Sequence, residues 1–360
     1  MIDILVILLI VLVFAKSRFA ETGQFHEDYF SLKNLNAVKG ALAVIVMLHH
    51  LSQRTEAGLL IREFTNFGYL PVAAFFLFSG YGLMLSHQKK ENYKLQFLLK
   101  RIPTILFQYA AVVAVYWFAV GEIEGVRHSW GYIWRGFKQG DPIAMFSWYV
   151  CVILMFYVGF LLLMLIFRKN YKGIIAGSFA MCIIWMVCSW KLGYGTYWCN
   201  TTAAFPLGML WAYAEKNGVP YIRGKYAKLC FFAVILFPLV YCVNKHSWWY
   251  PYPVQVLITW IISGLFGLML ILLLMKVKIG NPVLDFLGKI SFEVYMIHGI
   301  FIQWFRSYHI NIGSDSLWAA AVIGAAIVGA FVLHMVFSFI SKCYGKLIDK
   351  LLRLPAKTKV

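Results

Sequence analysis

Long runs of apolar residues recur along the whole chain, and they constrain its fold more than any other feature. Apolar windows give eleven candidate membrane spans, some of them shorter than the roughly 20 residues that cross a bilayer as a helix. These windows lie near residues 2–15, 37–52, 69–87, 102–120, 145–167, 173–190, 202–214, 229–243, 254–275, 290–306 and 317–340. Because 61% of the residues are hydrophobic and only 13% are charged, a soluble fold is excluded. The sequence predicts an all-α polytopic membrane protein with about eleven transmembrane helices.

The first apolar run is interpreted as a membrane span and not as a cleaved signal peptide. Asp3 precedes this run, where a signal peptide carries a basic residue, and Lys16 follows it, where a small-residue cleavage site would lie. We therefore expect an N-terminal anchor helix with a cytoplasmic linker (1–33), a membrane-embedded domain (34–340) and a basic cytoplasmic tail (341–360).

The net charge of +18 comes from short basic clusters between the apolar runs. No basic domain is present that could dock on nucleic acid, so the charge is better explained by orientation in the membrane. When the connections are assigned alternately to two sides, 25 of the 33 Lys and Arg residues fall on one side. Basic residues accumulate on the cytoplasmic side, which predicts an N-terminus outside and a C-terminus inside. The seven cysteines lack metal-ligand spacing, and no metal site is predicted.

Lys39 and His50 stand near the two ends of the apolar stretch VKGALAVIVMLHH. On a helix they differ by about 20° in direction and about 16 Å in height, whereas His49 is turned by about 80° from Lys39. Ionisable groups are costly in a bilayer, and burial disfavours the charged form of histidine. A neutral His50 could act as a general base towards a hydroxyl. The alternative is a histidine that hydrogen-bonds helices together, with Lys39 reaching the headgroups.

Ser79 and Gly80 lie inside the apolar stretch FFLFSGYGL (75–83). A serine nucleophile needs an adjacent base, and nothing in the sequence supplies one. Small residues at this spacing instead allow two membrane helices to approach closely. Close helix packing is therefore the expected use of this stretch.

Lys100 and Arg101 come shortly before Pro103, at the predicted cytoplasmic mouth of a span. Proline suits the first turn of a helix. The two cations could hold an anionic group such as a phosphate, or they could serve only to orient the span.

The stretch GKISFEVYMIH (288–298) predicts another helix with polar residues on one side. Ser291, Tyr295 and His298 fall within about 60° of one another, whereas Glu293 lies roughly 200° from Ser291. Glu293 is therefore not expected to orient His298, and the helix dipole accounts for an acid in the first turn. His298 is a candidate for a second polar residue in an internal cavity.

Taken together, the motifs and their order resemble those of the acyltransferase 3 family of bacterial integral-membrane acyltransferases, over residues 34–340. The stretches that carry the resemblance are Lys39 with ten residues before His50, FFLFSGYGL, LLKRIP (98–103), SWYVCVILMFY (147–157), FPLGMLWAY (205–213) and LGKISFEVYMIH (287–298).

The resemblance implies transfer of an acyl group, most often acetyl from acetyl-CoA, to a hydroxyl of a cell-envelope or exopolysaccharide glycan. It implies acyl-CoA as co-substrate with no bound cofactor, a glycan or lipid-linked saccharide as acceptor, and a bacterial cytoplasmic membrane as location. It makes His50 the catalytic histidine. The donor-binding residues would be Lys39, Lys100 and Arg101. The other motif residues fall on Ser79, Gly80, Trp148, Tyr295 and His298.

The chain departs from the family pattern at two positions. Asn36 stands where the family often has an aspartate, and Thr104 stands where a second arginine is common, which leaves Lys94 or Lys100 to take its place. Two other kinds of protein also fit the residues. One is a transporter with a His and Lys pathway, although no repeat supports it. The other is a non-catalytic sensor or glycan-binding membrane protein in which Lys39 and His50 are structural.

Overall fold

The computed structural model describes residues 2–56, 58–90 and 93–353. The helices are α1 (Ile2–Phe14), α2 (Leu32–Ser52), α3 (Leu60–Glu63), α4 (Tyr69–Lys89), α5 (Tyr93–Gln96), α6 (Ile102–Glu124), α7 (Trp130–Lys138), α8 (Trp148–Phe167), α9 (Tyr171–Lys191), α10 (Ala204–Gly224), α11 (Tyr226–Lys245), α12 (Tyr252–Lys276), α13 (Pro282–Lys289), α14 (Ser291–Trp304) and α15 (Asp315–Arg353). A π-helical turn at Phe97–Arg101 joins α5 to α6. Two short strands, β1 (Arg18–Phe19) and β2 (Val277–Lys278), pair antiparallel.

The prediction of an all-α polytopic membrane protein is confirmed. Every one of the eleven apolar segments lies largely within a helix. Within the described residues, eight helical stretches are long and apolar enough to cross a membrane. The remaining three segments form α1, α10 and α14, which are shorter or less apolar. Residues 341–353 of the predicted tail continue α15 without a break, and residues 354–360 lie outside the described part of the chain.

The two ends of α1 show how the connections sort into two faces. The Asp3 carboxylate accepts backbone hydrogen bonds from Leu59 and Leu60 at 2.8 and 3.0 Å, beyond the end of α2. At the other end, the Asn281 side chain donates to the Leu12 and Ala15 carbonyls. The N-terminal end of α1 is therefore on the same side of the protein as the connection after α2. Its C-terminal end is on the same side as the connection after α12.

We call the side of the protein at the C-terminal end of α1 the basic face. It carries segments 15–31, 168–170 and 277–290. Asp28 and Lys278 form an ion pair there at 2.5 Å, and the hydrogen bond from Lys278 holds the pKa of Asp28 below its usual value. We call the opposite side of the protein, at the N-terminal end of α1, the aromatic face. It carries segments 125–147, 192–203 and 246–251.

Glycines bring two pairs of helices into backbone contact. A Cβ on Gly288 of α13 would overlap the Asn36 carbonyl of α2, and a Cβ on Gly40 of α2 would overlap the Leu284 carbonyl. Small residues are what allow membrane helices to approach this closely. The Asn36 side chain also donates to the Asp285 carbonyl at 2.7 Å, so Asn36 joins these two helices.

The second close pair is α4 with α10. A Cβ on Gly80 would overlap the Phe205 carbonyl, and a Cβ on Gly208 would overlap the Leu77 carbonyl. This is the close packing that the sequence predicts for Gly80. It turns the neighbouring Ser79 away from α10 and onto the wall of an internal cavity.

Candidate functional site

A cavity of about 730 Å³ extends into the protein from the basic face. Its walls come from α2, α4, α6, α8 and α14, together with the π-helical turn before α6. Lys39, Ser79, Lys100, Arg101 and Tyr295 all line it, so the structure brings together five of the residues that the sequence singles out. The other lining residues are Leu32, Phe75, Phe78, Gly82, Leu83, Ser86, Lys90, Tyr93, Gln96, Phe97, Thr104, Ile105, Gln108, Tyr149, Ile153, Tyr157, Lys289, Ser291, Phe292 and Glu293.

The cavity has an excess of positive charge. Lys39 lies inside α2, two turns from its start, and is half-buried. Arg101 faces the cavity and lies 5.8 Å from the centre of the Tyr157 ring. Neither cation forms an ion pair with an acid anywhere in the described residues. Unpaired cations inside low-dielectric walls favour anionic ligands, and Arg in particular suits phosphate.

Lys100 differs from the other two cations because it already has a partner. Its ammonium lies 2.6 Å from the Asp349 carboxylate near the end of α15. The pair is partly exposed at the mouth of the cavity. Lys100 therefore fastens the turn before α6 to α15, and less of its charge is available to a ligand.

Among the described residues that line the cavity, Glu293 is the one acid. Like Lys100, it already has a hydrogen-bond partner. Its Oε1 accepts a hydrogen bond from His334 Nδ1 at 3.0 Å, so α14 and α15 are joined by a buried carboxylate and a histidine. The helix dipole alone therefore does not account for Glu293. The partner lies 41 residues away, which is why the local sequence gives no sign of it.

The inner end of the cavity is closed by two tyrosines. Tyr149 and Tyr295 both line the cavity, and their rings meet edge to face at 5.5 Å. The Tyr295 hydroxyl donates a hydrogen bond to the Phe146 carbonyl. Phe146 has a φ of 63°, a left-handed conformation that costs energy for a bulky residue and often marks a functional site.

His50 and His298 lie beyond this wall, stacked with Phe146. The ring centroids of His50 and Phe146 are 3.5 Å apart, and those of His50 and His298 are 5.1 Å apart. His50 is half-buried next to the exposed Gln53, whereas His298 is fully buried. His50 does not line the cavity. The predicted shared face of Lys39 and His50 is thus interrupted by side chains from other elements.

His298 and His49 have different hydrogen-bond partners on the backbone. His298 Nδ1 is bonded to the Val294 carbonyl at 3.0 Å, and its buried Nε2 has no partner in the described residues. His49 instead reaches the Phe64 carbonyl at 2.9 Å and packs on Gly68. Helical geometry predicts that His50, and not His49, lies on the same side of α2 as Lys39. In the structure, the His50 ring stacks on Phe146 and His298.

Trp148 and Ser79 are not part of this cluster. Trp148 begins α8 at the aromatic face, and its ring meets the Tyr197 ring at 6.0 Å. Ser79 has no hydrogen bond to a histidine or a carboxylate within the described residues, as expected for a wall residue. The sequence reasoning missed Phe146 and Gln53. Gln53 could have been found from its position three residues after His50, which places both on one helix face.

Comparison with known families identifies the family of this chain. The sequence model of the acyltransferase 3 family, described as an acyltransferase domain, matches residues 32–335, which extend from the start of α2 into α15. No curated protein and no solved structure matches the chain.

Proposed function

The chain belongs to the acyltransferase 3 family and is a multi-pass membrane acyltransferase, and we propose that it moves an acyl group from acyl-CoA to a hydroxyl of a cell-envelope glycan. The donor is most simply acetyl-CoA, and the acceptor is a polysaccharide or a lipid-linked saccharide. The observation that carries the proposal is the cationic cavity, which runs from the basic face to Tyr295, with the His50 cluster directly behind that tyrosine.

The donor would enter from the basic face. The excess of basic residues on this side favours a cytoplasmic location for it, and the site would then lie in a bacterial cytoplasmic membrane. Lys39 and Arg101 would hold the phosphates of the coenzyme, with Lys100 and Lys289 at the mouth. The pantetheine arm would extend between α2 and α4 towards Tyr149 and Tyr295. A small acyl group fits this arrangement, because the two tyrosines limit the space beyond the thioester.

The acceptor would approach from the aromatic face. Exposed rings such as Trp130 and Trp134 lie there on α7. Aromatic faces at the end of a membrane helix form an interfacial belt in the first place, and they also stack on sugar rings. A hydroxyl placed beside His50 would be within reach of a general base.

His50 would then take the proton from the acceptor hydroxyl while the oxygen attacks the thioester carbon. The carbon–sulfur bond breaks, and the coenzyme thiolate leaves and recovers the proton from the imidazolium. The products are the acyl ester and the free coenzyme thiol. Because Phe146 and Tyr295 separate the cavity from His50 in this structure, the transfer step requires these two side chains to move apart.

The test uses the purified full-length protein in detergent with acetyl-CoA, octanoyl-CoA and saccharide acceptors. We expect release of coenzyme thiol together with an acyl mass increment on the saccharide, and faster turnover with acetyl-CoA. A transporter would show no acyl transfer in this assay, because its activity is transport, which requires a sealed vesicle. A search for labelled acyl on His50 in the absence of acceptor distinguishes direct attack from an acyl-histidine intermediate. Absence of both thiol release and the mass increment with every envelope saccharide would overturn the proposal.

A further inference from the structure

A chain of hydrogen bonds connects His50 to the backbone through one glutamine. His49 Nδ1 lies 2.9 Å from the Phe64 carbonyl oxygen. Gln53 Nε2 lies 3.1 Å from His49 Nε2. Gln53 Oε1 lies 3.5 Å from His50 Nδ1, at the long end of hydrogen-bond distance. The three side chains come from the last turn of α2 and its C-cap, where residues three and four apart share a face.

The chemistry of each partner fixes where the protons lie along this chain. A carbonyl oxygen only accepts, so His49 Nδ1 must carry a hydrogen, and Nε2 of the neutral ring is then an acceptor. The amide nitrogen of Gln53 must therefore donate a hydrogen bond to His49 Nε2. This orientation places the amide oxygen next to His50 Nδ1. The relative positions of oxygen and nitrogen in Gln53 are thus assigned by the hydrogen-bond network.

The last step concerns His50 itself. Because the Gln53 oxygen only accepts, His50 Nδ1 must carry the hydrogen of the neutral ring. His50 Nε2 is then left with a free lone pair. This is the atom that a general base needs, and a single tautomer keeps it available in every molecule.

Among the described residues, no acid takes the orienting role at His50. The ionisable groups that act on it are His49, His298 and Arg54, and no ion pair to its ring forms within the described residues. A neutral amide in place of a carboxylate orients the ring without placing a negative charge beside it. His50 can therefore be directed without stabilising its protonated form.

We propose that Gln53 is a positioning residue that holds His50 in the tautomer with the hydrogen on Nδ1, so that Nε2 serves as the base. The proposal rests on the proposed function for its catalytic consequence. Its structural claim, the tautomer of His50, is independent of that function and can be measured directly.

The first experiment measures the tautomer of His50 and does not depend on acyl-transfer activity. Full-length protein labelled with ¹⁵N-histidine is reconstituted in lipid, and the His50 ring signals are assigned by their loss in His50→Gln. We expect the shifts of a protonated Nδ1 and an unprotonated Nε2 in the unmodified protein, and a mixture of tautomers in Gln53→Met. An unmodified protein with the hydrogen on His50 Nε2 would overturn the proposal, whether or not the protein transfers acyl groups.

The second experiment reads the catalytic consequence in the acyl-transfer assay. Gln53→Met keeps the length of the side chain but cannot hydrogen-bond, and Gln53 is exposed, so the variant should fold. We expect kcat to fall roughly 10-fold, less than the roughly 10²- to 10⁴-fold that a general base contributes in full, with KM for acetyl-CoA unchanged. Gln139→Met, another exposed amide on the same face, should match the unmodified protein.

Gln53→Glu separates orientation from charge. A carboxylate still accepts from His50 Nδ1, so part of kcat should return relative to Gln53→Met. The added negative charge also stabilises the protonated ring, which moves the acid limb of the rate profile to higher pH.

Unchanged kcat and an unchanged tautomer in Gln53→Met would show that Gln53 does not position His50. If the unmodified protein shows no acyl transfer, the proposed function fails, and the ¹⁵N measurement alone decides the role of Gln53.

Discussion

The ring of Phe146 lies flat against the imidazole of His50, with 3.5 Å between the centroids and 16° between the planes. The same residue accepts a hydrogen bond on its carbonyl from Tyr295, which lines the cavity. Phe146 therefore lies between the cavity and the half-buried His50. Under the proposed function, this is where water must be kept from the thioester.

Removal of the Phe146 ring should expose the thioester to water. Phe146→Gly suits the φ of 63° without strain, so it removes the ring with little backbone cost. We expect coenzyme thiol release without acceptor to rise several-fold relative to acyl transfer, because water can then attack the thioester carbon. The measurement is thiol release with and without saccharide.

Two further variants control this experiment. Phe146→Trp retains a ring and should keep hydrolysis low, and Phe137→Ala removes an exposed ring from the same connection between α6 and α8. A ratio of hydrolysis to transfer in Phe146→Gly equal to that of the unmodified protein would show that Phe146 does not exclude water.

His50→Ala should abolish acyl transfer while the protein still inserts and folds. Loss of a general base lowers the rate by roughly 10²- to 10⁴-fold. The matched comparison is His49→Ala, which leaves His50 in place and removes only the partner that holds the amide nitrogen of Gln53. We expect a smaller loss for His49→Ala. The assay is transfer of labelled acetyl by protein that elutes as a single species on size exclusion, and full activity of His50→Ala would remove the base assignment.

Lys39→Met and Arg101→Met should weaken donor binding more than Lys100→Met. A hydrogen bond to a charged group contributes about 1.5–3 kcal/mol, which corresponds to roughly a 10- to 100-fold rise in KM for acetyl-CoA. Lys100 is held by Asp349 at 2.6 Å, so its loss should change KM less. Steady-state kinetics with acetyl-CoA give the comparison. A larger effect of Lys100→Met would place the coenzyme phosphates at the mouth of the cavity.

The sequence predicted the helices, for reasons that are local. Apolar runs identify helices in a membrane, since every backbone group must be hydrogen-bonded there. Helical periodicity also puts Lys39 and His50 on one side of α2, and the family motifs single out Ser79, Arg101 and Tyr295, which line one cavity.

The contacts that divide the site could not be predicted in this way. The partition between Lys39 and His50 consists of Tyr295 and Phe146, which are 149 residues apart. The ion pair that occupies Lys100 joins residues 249 positions apart. Such pairs depend on how the helices are arranged, and a single sequence carries no periodic signal for them.

Glycine substitutions on α4 test the packing that places Ser79 on the cavity wall. A Cβ on Gly80 would overlap the Phe205 carbonyl of α10, whereas a Cβ on Gly82 would meet nothing within 4 Å. Overpacking of this kind costs about 1–3 kcal/mol, while alanine in an unobstructed helical position is favoured over glycine by about 1 kcal/mol. Gly80→Ala should therefore lower the thermal unfolding temperature, and Gly82→Ala should leave it unchanged or raise it.

Buried cysteines supply the measurement for this pair of variants. The Cys182 thiol is buried and bonded to the Thr202 carbonyl near the start of α10, so a thiol-reactive dye should label it only when the helices separate. Cys188 and Cys343 are exposed and should react at once, as a baseline. Because α10 is the helix that Gly80 contacts, Cys182 should become reactive at a lower temperature in Gly80→Ala than in Gly82→Ala. Equal labelling temperatures for the two variants would mean that α4 and α10 do not depend on glycine for their close approach, and the position of Ser79 on the wall would then need another cause.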